Sequence, residues 1–111
     1  MRKNKVYNVI ISKSAEGDLK EIVDYYKSLS PSYVESVVTQ FEHNILSLSR
    51  FPLSGRVVPE LYDQGIERYR EIVQGLYRIV YEICAGGVVV HAVIDSRRNL
   101  EDILVAKLLR L

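Results

Sequence analysis

The chain has 111 residues, of which 48% are hydrophobic and 26% are charged. The length fits one ordinary domain and the composition fits a folded chain, so we expect a single domain over residues 1–111. Fifteen Lys and Arg against fourteen Asp and Glu give a formal net charge of +1, which argues against binding to nucleic acid through an overall basic excess.

The sequence offers little for metal, disulfide or membrane chemistry. Cys84 is the only cysteine, and the two histidines, His43 and His91, do not have metal-ligand spacing. We therefore predict no disulfide, no metal site and no other cofactor. The first apolar run is too short for a signal peptide, and no later run approaches the ~20 residues that span a bilayer. These features predict a cytoplasmic protein that does not contact membranes.

The first half of the chain predicts a strand and a pair of helices. A β-rich run at residues 6–11 is followed by Ser12 and Ser14, either of which can cap a helix. That helix has apolar residues at helical spacing, namely Leu19, Ile22, Val23 and Tyr26. Ser30 and Pro31 predict the start of a second helix, with an apolar stripe at Val34, Val37, Val38, Phe41, Ile45 and Leu48. So short a link predicts an antiparallel hairpin.

The second half predicts a meander and a final helix. Residues 51–64 show no clear period and are expected to form an extended connection with at most one short helical turn. Alternating runs begin at Ile66 and are separated by turns at Gln74-Gly75 and Gly86-Gly87. A short closing helix is indicated by Leu100, Ile103, Leu104 and Leu108. The fold class is therefore α+β: an antiparallel sheet with an N-terminal strand, a long helical hairpin on one face, a three-stranded C-terminal meander and a short C-terminal helix.

The run YRIVYEI at residues 77–83 contains an arginine where a valine would pack more easily. Side chains alternate across a strand, so the residues that face the core are Tyr77, Ile79, Tyr81 and Ile83. Arg78 then points to the opposite face together with Val80 and Glu82. We expect that face to be uncovered, and a functional role for the Arg78 guanidinium depends on this exposure.

The predicted turns set the neighbours of Arg78. The expected cross-strand pairs are Glu71–Arg78, Tyr69–Val80, Glu82–His91 and Asp95–Arg78. One interpretation is a solvated face with weak surface ion pairs. The other is a site for a phosphate or an acidic partner, because arginine offers planar, bidentate donors and the His91 imidazole could serve as an acid or a base. The remaining candidates for binding a partner or nucleic acid are Arg68, Tyr69, Arg70 and Arg97.

Several short motifs follow one another over nearly the whole chain. They are A-x-x-D-L-x-x-I at 15–22, Y-x-x-x-S-P at 26–31, P-x-x-G-R-x-x-P-E at 52–60, R-E at 70–71, YRIVY at 77–81 and SRR at 96–98. In this order they resemble the RelE/ParE superfamily of bacterial toxins, which includes toxins of the plasmid stabilisation type. Its members are the toxic halves of type II toxin–antitoxin pairs.

The resemblance implies one of two activities. RelE-like members cleave mRNA on the ribosome, and their catalytic arginines match Arg78 and Arg98. ParE-like members bind and poison DNA gyrase and need no catalytic residues. The near-zero net charge and the long helical hairpin favour the gyrase-directed branch.

Other positions depart from the ribonuclease pattern. The lysines of RelE-like enzymes fall here at Tyr69 and Glu71, and their C-terminal tyrosine falls at Leu104. Some relatives use a glutamate, an arginine and a histidine instead, so Glu71, Arg78 and His91 are candidate substitutes. The candidate catalytic set is therefore Arg78, Arg98, Glu71 and His91.

The resulting hypothesis is a toxin that a cognate antitoxin neutralises by wrapping over the sheet and the helices. Its target is either the ribosome with its mRNA or DNA gyrase. A third possibility is a toxin-like domain that still binds an antitoxin but has lost toxicity, with Arg78 and Arg98 serving the fold or the complex. A homodimer and a toxin–antitoxin hetero-oligomer both remain open.

Overall fold

A computed structural model describes residues 6–108 and shows a five-stranded sheet with helices on both faces. The strands are β1 (Asn8–Ile11), β2 (Arg56–Val57), β3 (Tyr69–Gln74), β4 (Tyr77–Cys84) and β5 (Gly87–Asp95), in the spatial order β1-β5-β4-β3-β2. The helices are α1 (Lys13–Tyr26), α2 (Pro31–Ser47), α3 (Pro59–Tyr62) and α4 (Leu100–Leu108). Residues 1–5 and 109–111, which the single-domain prediction includes, lie outside the described range.

The predicted α+β class is confirmed, with one difference in strand direction. Strands β2, β3, β4 and β5 pair antiparallel, whereas β1 pairs parallel with β5. Within residues 6–108, no helix is long and apolar enough to cross a membrane.

The helical hairpin begins where its caps predict. The Ser12 side chain accepts a hydrogen bond from the Ala15 N–H at 3.1 Å, and Ser30 accepts one from the Tyr33 N–H at 3.4 Å. Such caps satisfy N–H groups that have no partner inside the helix. The apolar stripes of both helices then pack on one sheet face, where the buried core contains Val37, Phe41, Ile45, Leu48, Tyr77, Ile79, Tyr81, Val88, Val90 and Val93.

The opposite face of the sheet is also covered, which corrects the expectation of an open face. Residues 51–64 contain one short helix, α3, as the sequence allows, and the two-residue strand β2. Helix α4 packs on the same side, and a second buried cluster results from Val58, Leu61, Tyr69, Val80, Ala92, Ile94, Leu100 and Leu104. Arg78 is therefore only 8% exposed, and the prediction that it projects from an uncovered face is wrong.

The register of β3 and β4 differs from the predicted one by two residues. Gln74 belongs to β3 and pairs with Tyr77, so the hairpin loop is Gly75-Leu76, and Gly75 adopts a φ of +57°. The buried Gln74 side chain accepts a hydrogen bond from Asn44 at 2.7 Å. The observed pairs are Val73–Arg78, Glu71–Val80 and Tyr69–Glu82. A shift of two keeps every side chain on its face, so Glu71 and Arg78 still meet diagonally.

A bulge at His91 changes the last pairing. Tyr81 pairs with Val90 and Val80 pairs with Ala92, which leaves His91 as the extra residue. The predicted Gly86-Gly87 turn is also wrong, because Gly87 lies in β5 and pairs with Cys84. Glu82 therefore pairs with Val89 and not with His91, although the Glu82 and His91 side chains lie 2.9 Å apart. Asp95 pairs with Tyr77 and not with Arg78.

Candidate functional site

Arg78 lies at the centre of a buried ionic network formed by Arg56, Glu60, Glu71 and Arg78. Its Nε and Nη2 donate to the two carboxylate oxygens of Glu71 at 2.6 and 2.8 Å. Its Nη1 and Nη2 donate to Glu60 at 2.7 and 2.8 Å. Glu71 also accepts a hydrogen bond from Arg56 Nε at 2.7 Å. The network joins α3 and β2 to β3 and β4, the first two strands of the meander.

Pairing explains how these charges are tolerated inside the protein. Glu71 is 1% exposed and Arg78 is 8% exposed, and a buried charge requires a partner. The hydrogen bonds to Glu60 raise the pKa of Arg78 above its ordinary value, although burial opposes this. The same bonds lower the pKa of Glu60. Both groups are therefore charged at neutral pH and balance each other.

The network leaves Arg78 little capacity for a ligand. Its four hydrogen bonds use all but one of the N–H donors of a guanidinium. An incoming phosphate would have to displace the Glu60 carboxylate, and Glu71 would repel it at short range. The arrangement is suited to fixing α3 on the sheet.

Tyr81 anchors the loop at residues 52–55, which precedes and positions two members of the network, Arg56 and Glu60. The Tyr81 hydroxyl accepts the Gly55 N–H at 2.9 Å and donates to the Pro52 carbonyl at 2.7 Å. Arg70 Nη1 donates to the Gly55 carbonyl at 2.7 Å. A Cβ on Gly55 would lie 2.5 Å from the Glu71 carbonyl oxygen, so only glycine fits here.

Sequence reasoning missed the role of this loop. The motif P-x-x-G-R-x-x-P-E at 52–60 contains Pro52, whose carbonyl accepts the hydrogen bond of the Tyr81 hydroxyl, and Gly55, which packs against the β3 backbone. It also contains the charged residues Arg56 and Glu60 of the network. One signal was available in the sequence: the segments that carry Arg56, Glu60, Glu71 and Arg78 are otherwise rich in apolar residues, and their two positive and two negative charges can balance one another.

His91 belongs to a separate surface cluster. Its Nε2 lies 2.9 Å from Glu82 Oε1, and its ring packs edge-on against Tyr69 at 5.6 Å. Arg68 lies over the Tyr69 ring at 5.1 Å and its Nε is 3.9 Å from Glu82. Within residues 6–108, no hydrogen bond or ion pair joins His91 to the buried ionic network.

The SRR segment lies beyond the end of β5. Arg97 binds Asp95 in a bidentate ion pair, with Nε–Oδ1 at 2.9 Å and Nη2–Oδ2 at 2.5 Å. These bonds lower the pKa of Asp95 to about 2. The exposed Arg98 guanidinium, by contrast, makes no hydrogen bond or ion pair with the part of the chain that the structure describes.

Arg97 and Arg98 line a cavity of about 450 Å³ beside α1. We call it the tyrosine–arginine cavity, and its walls are Asp18, Glu21, Ile22, Tyr25, Tyr26, Tyr77, Val93, Asp95, Arg97 and Arg98. Arg78, Glu71 and His91 do not line it. The four candidate catalytic residues are thus distributed over three places: the buried ionic network, the His91 surface cluster and this cavity.

The positions where RelE-like enzymes carry further functional groups are also inaccessible. Tyr69 and Glu71, which replace the lysines, are both buried. Leu104, which replaces the tyrosine, is fully buried against the sheet. The described residues 6–108 contain no group of three or more His, Cys, Asp or Glu that could hold a metal ion.

Comparisons with known proteins identify the family. Residues 9–100 match the family model described as the ParE toxin of the type II toxin–antitoxin system parDE. The match extends over most of the chain, so the fold and sequence define a toxin-type protein of the RelE/ParE superfamily. More particularly, the chain belongs to the ParE toxin family.

Two solved structures are similar to the chain. One is from the chromosomal ParDE system of P. aeruginosa, with a TM-score of 0.67 and 14% identity over 82% of this chain and 97% of that chain. The other is from the RelBE2 toxin–antitoxin complex of Mycobacterium tuberculosis, with a TM-score of 0.56 and 27% identity over 86% of this chain and 97% of that chain. No curated protein matches the sequence significantly.

Proposed function

We propose that the chain is a toxin that acts in the cytoplasm by binding DNA gyrase, without cleaving mRNA, and that a cognate antitoxin neutralises it. The observation that carries this proposal is the pairing of Arg78 with Glu60 and Glu71. A RelE-like ribonuclease would direct this arginine at the scissile phosphate, whereas here it is hydrogen-bonded to two carboxylates of the protein itself.

Ribonuclease chemistry requires a cation at the phosphate and a base near the attacking hydroxyl. Glu71 is a poor candidate for the base, because both Arg56 and Arg78 bind its carboxylate and it is 1% exposed. His91 is engaged with Glu82 in a separate cluster. A toxin that acts by binding a protein target needs none of these groups to be free, and membership of the ParE family supports that mode.

An antitoxin partner is supported by the two similar structures, which come from toxin–antitoxin systems. The chain offers a groove of about 470 Å³ between α1, α2 and β1, lined by Ile11, Leu19, Lys20, Val23, Val38, Phe41, Glu42, Ile45 and Leu46. Its almost wholly apolar wall suits the apolar face of an amphipathic helix. Beside it, β1 is one of the two edge strands of the sheet, and Ile10 is exposed. We infer that the antitoxin places a helix in this groove.

The test is a pair of reconstituted assays with the purified toxin. With DNA gyrase and supercoiled plasmid, we expect gyrase-linked DNA breaks that disappear when the antitoxin is added. With purified ribosomes and mRNA, we expect transcripts to stay intact. Cut transcripts with an unaffected gyrase would overturn the proposal. If neither assay shows an effect and expression of the chain does not slow bacterial growth, the chain is a toxin-like domain without toxicity.

A further inference from the structure

The tyrosine–arginine cavity has a wall of packed tyrosine rings. Tyr77 is buried, and burial together with hydrogen bonds to Tyr33 and Tyr26 raises the pKa of its hydroxyl. Tyr26 packs against Tyr33 with ring centroids 4.8 Å apart, and Tyr25 packs edge-on against Tyr26 at 4.7 Å. Tyr25 nevertheless remains 66% exposed at this wall, so its ring is available for stacking.

Most charges of the cavity are neutralised in pairs, and one cation and one carboxylate remain without an ion-pair partner among the described residues. Asp95 is bound by Arg97, and Asp18 is bound by Lys107 Nζ at 2.5 Å. The groups left without an ion-pair partner among the described residues are the Arg98 guanidinium and the Glu21 carboxylate. Arg98 is therefore an available donor for an anionic group, and Glu21 is an available acceptor.

Glu21 and Tyr25 are four residues apart on α1, so their side chains are neighbours on one helix face. A planar ring stacked on Tyr25 would present its edge to Glu21. A carboxylate accepts hydrogen bonds and cannot donate them, so the ring edge must carry N–H donors. Guanine, with adjacent ring N–H and amino donors, meets this requirement.

We propose that the tyrosine–arginine cavity binds a guanine nucleoside monophosphate, with the base stacked on Tyr25 and facing Glu21 and the phosphate bound by Arg98. The volume of about 450 Å³ lies within the range of small-molecule sites, roughly 300–1,000 Å³. Arginine binds phosphate through charge-assisted hydrogen bonds, and tyrosine rings stack on bases. The ligand is either a free nucleotide or the phosphorylated end of a nucleic-acid strand.

The experiment is a calorimetric titration of the purified chain with GMP, AMP, guanosine and inorganic phosphate. We expect GMP to bind more tightly than the other three. Arg98→Ala and Tyr25→Leu should each weaken GMP binding at least about tenfold, the loss expected for one good contact. The matched controls Arg50→Ala and Tyr62→Leu, which change exposed residues outside the cavity, should leave binding unchanged.

A short oligonucleotide that begins with a 5′-phosphorylated guanosine separates the two sources. Tighter binding of the oligonucleotide assigns the site to a strand end, and equal binding assigns it to the free nucleotide. Absence of GMP and oligonucleotide binding, equal affinity for inorganic phosphate, or equal losses in the control variants would overturn the proposal. None of these titrations contains gyrase, so their failure would leave the proposed function standing.

Discussion

The buried ionic network and the tyrosine–arginine cavity each contain an arginine that the sequence nominates for catalysis, and they place it in opposite environments. Arg78 makes four hydrogen bonds to two carboxylates and is 8% exposed. Arg98 is exposed and has no such partner among residues 6–108. Matching a family motif therefore does not reveal whether an arginine is available to a ligand, because that depends on what packs over it.

The largest effect is expected at the centre of the network. Arg78→Ala should lower the free energy of unfolding by about 3–5 kcal/mol, because it leaves the Glu71 carboxylate buried with a single partner. Urea denaturation followed by circular dichroism measures this change. Loss of toxicity in this variant would then reflect loss of folded protein.

A double variant sharpens the same point. Glu71→Leu combined with Arg78→Met removes both buried charges and leaves Arg56 and Glu60, which have access to solvent. Replacement of a buried ion pair by apolar residues is often neutral, so most of the lost stability should return. If the double variant were as unstable as Arg78→Ala alone, the ionic explanation would be wrong.

The next largest effect is expected where the loop approaches the sheet. Gly55→Ala should destabilise the protein by about 1–3 kcal/mol, since the added methyl overlaps the Glu71 carbonyl and the Tyr81 hydroxyl. Gly17→Ala is the matched control, because Gly17 lies in α1 with open space around it and alanine favours the helix by about 0.5–1 kcal/mol. Thermal unfolding of both variants should give shifts of opposite sign, and equal shifts would contradict the packing account.

A smaller effect concerns pH. The hydrogen bonds from Arg78 lower the pKa of Glu60 in the folded protein. The stability that this ion pair contributes is therefore complete above the pKa of a glutamate in the unfolded chain, about 4.3, and is lost as the pH falls through the lower folded-state pKa. Glu60→Gln should therefore flatten the decline of unfolding free energy below pH 5. Denaturation curves at several pH values compare the two proteins, and parallel declines would show that Glu60 does not contribute.

The smallest effect is expected at Arg98. Arg98→Ala removes an exposed side chain whose guanidinium makes no hydrogen bond or ion pair in the described part of the chain, so stability should change by no more than about 0.5 kcal/mol. The same urea denaturation measures it. A loss comparable to that of Arg78→Ala would mean that the two arginines do not differ as the structure indicates.

The elements that the sequence predicts well are those that local chemistry determines. Ser12, Ser30 and Pro31 mark the helix starts, and alternation marks the face of each residue in β4. The predicted β3–β4 register is off by two because the hairpin loop is Gly75-Leu76 and not Gln74-Gly75, with Gly75 at a φ of +57° in the first loop position. A two-residue error preserves the faces, so Glu71 and Arg78 still meet.

The covering of the second sheet face could not be predicted in the same way. Residues 51–64 lack a hydrophobic period because the close approach of Gly55 and the ion pairs of Arg56 and Glu60 position them. Such contacts exist only once β3 and β4 are in place. The candidate residues were therefore identified from the sequence, whereas their separation into three places required the structure.

The most direct test of a structural role for Arg78 is the gyrase assay performed with the Glu71→Leu, Arg78→Met double variant, under conditions where circular dichroism shows it to be folded. A structural role predicts gyrase-linked DNA breaks at the wild-type level and intact mRNA with ribosomes present. A folded double variant that no longer acts on gyrase, or a wild-type mRNA cleavage that the variant loses, would contradict it.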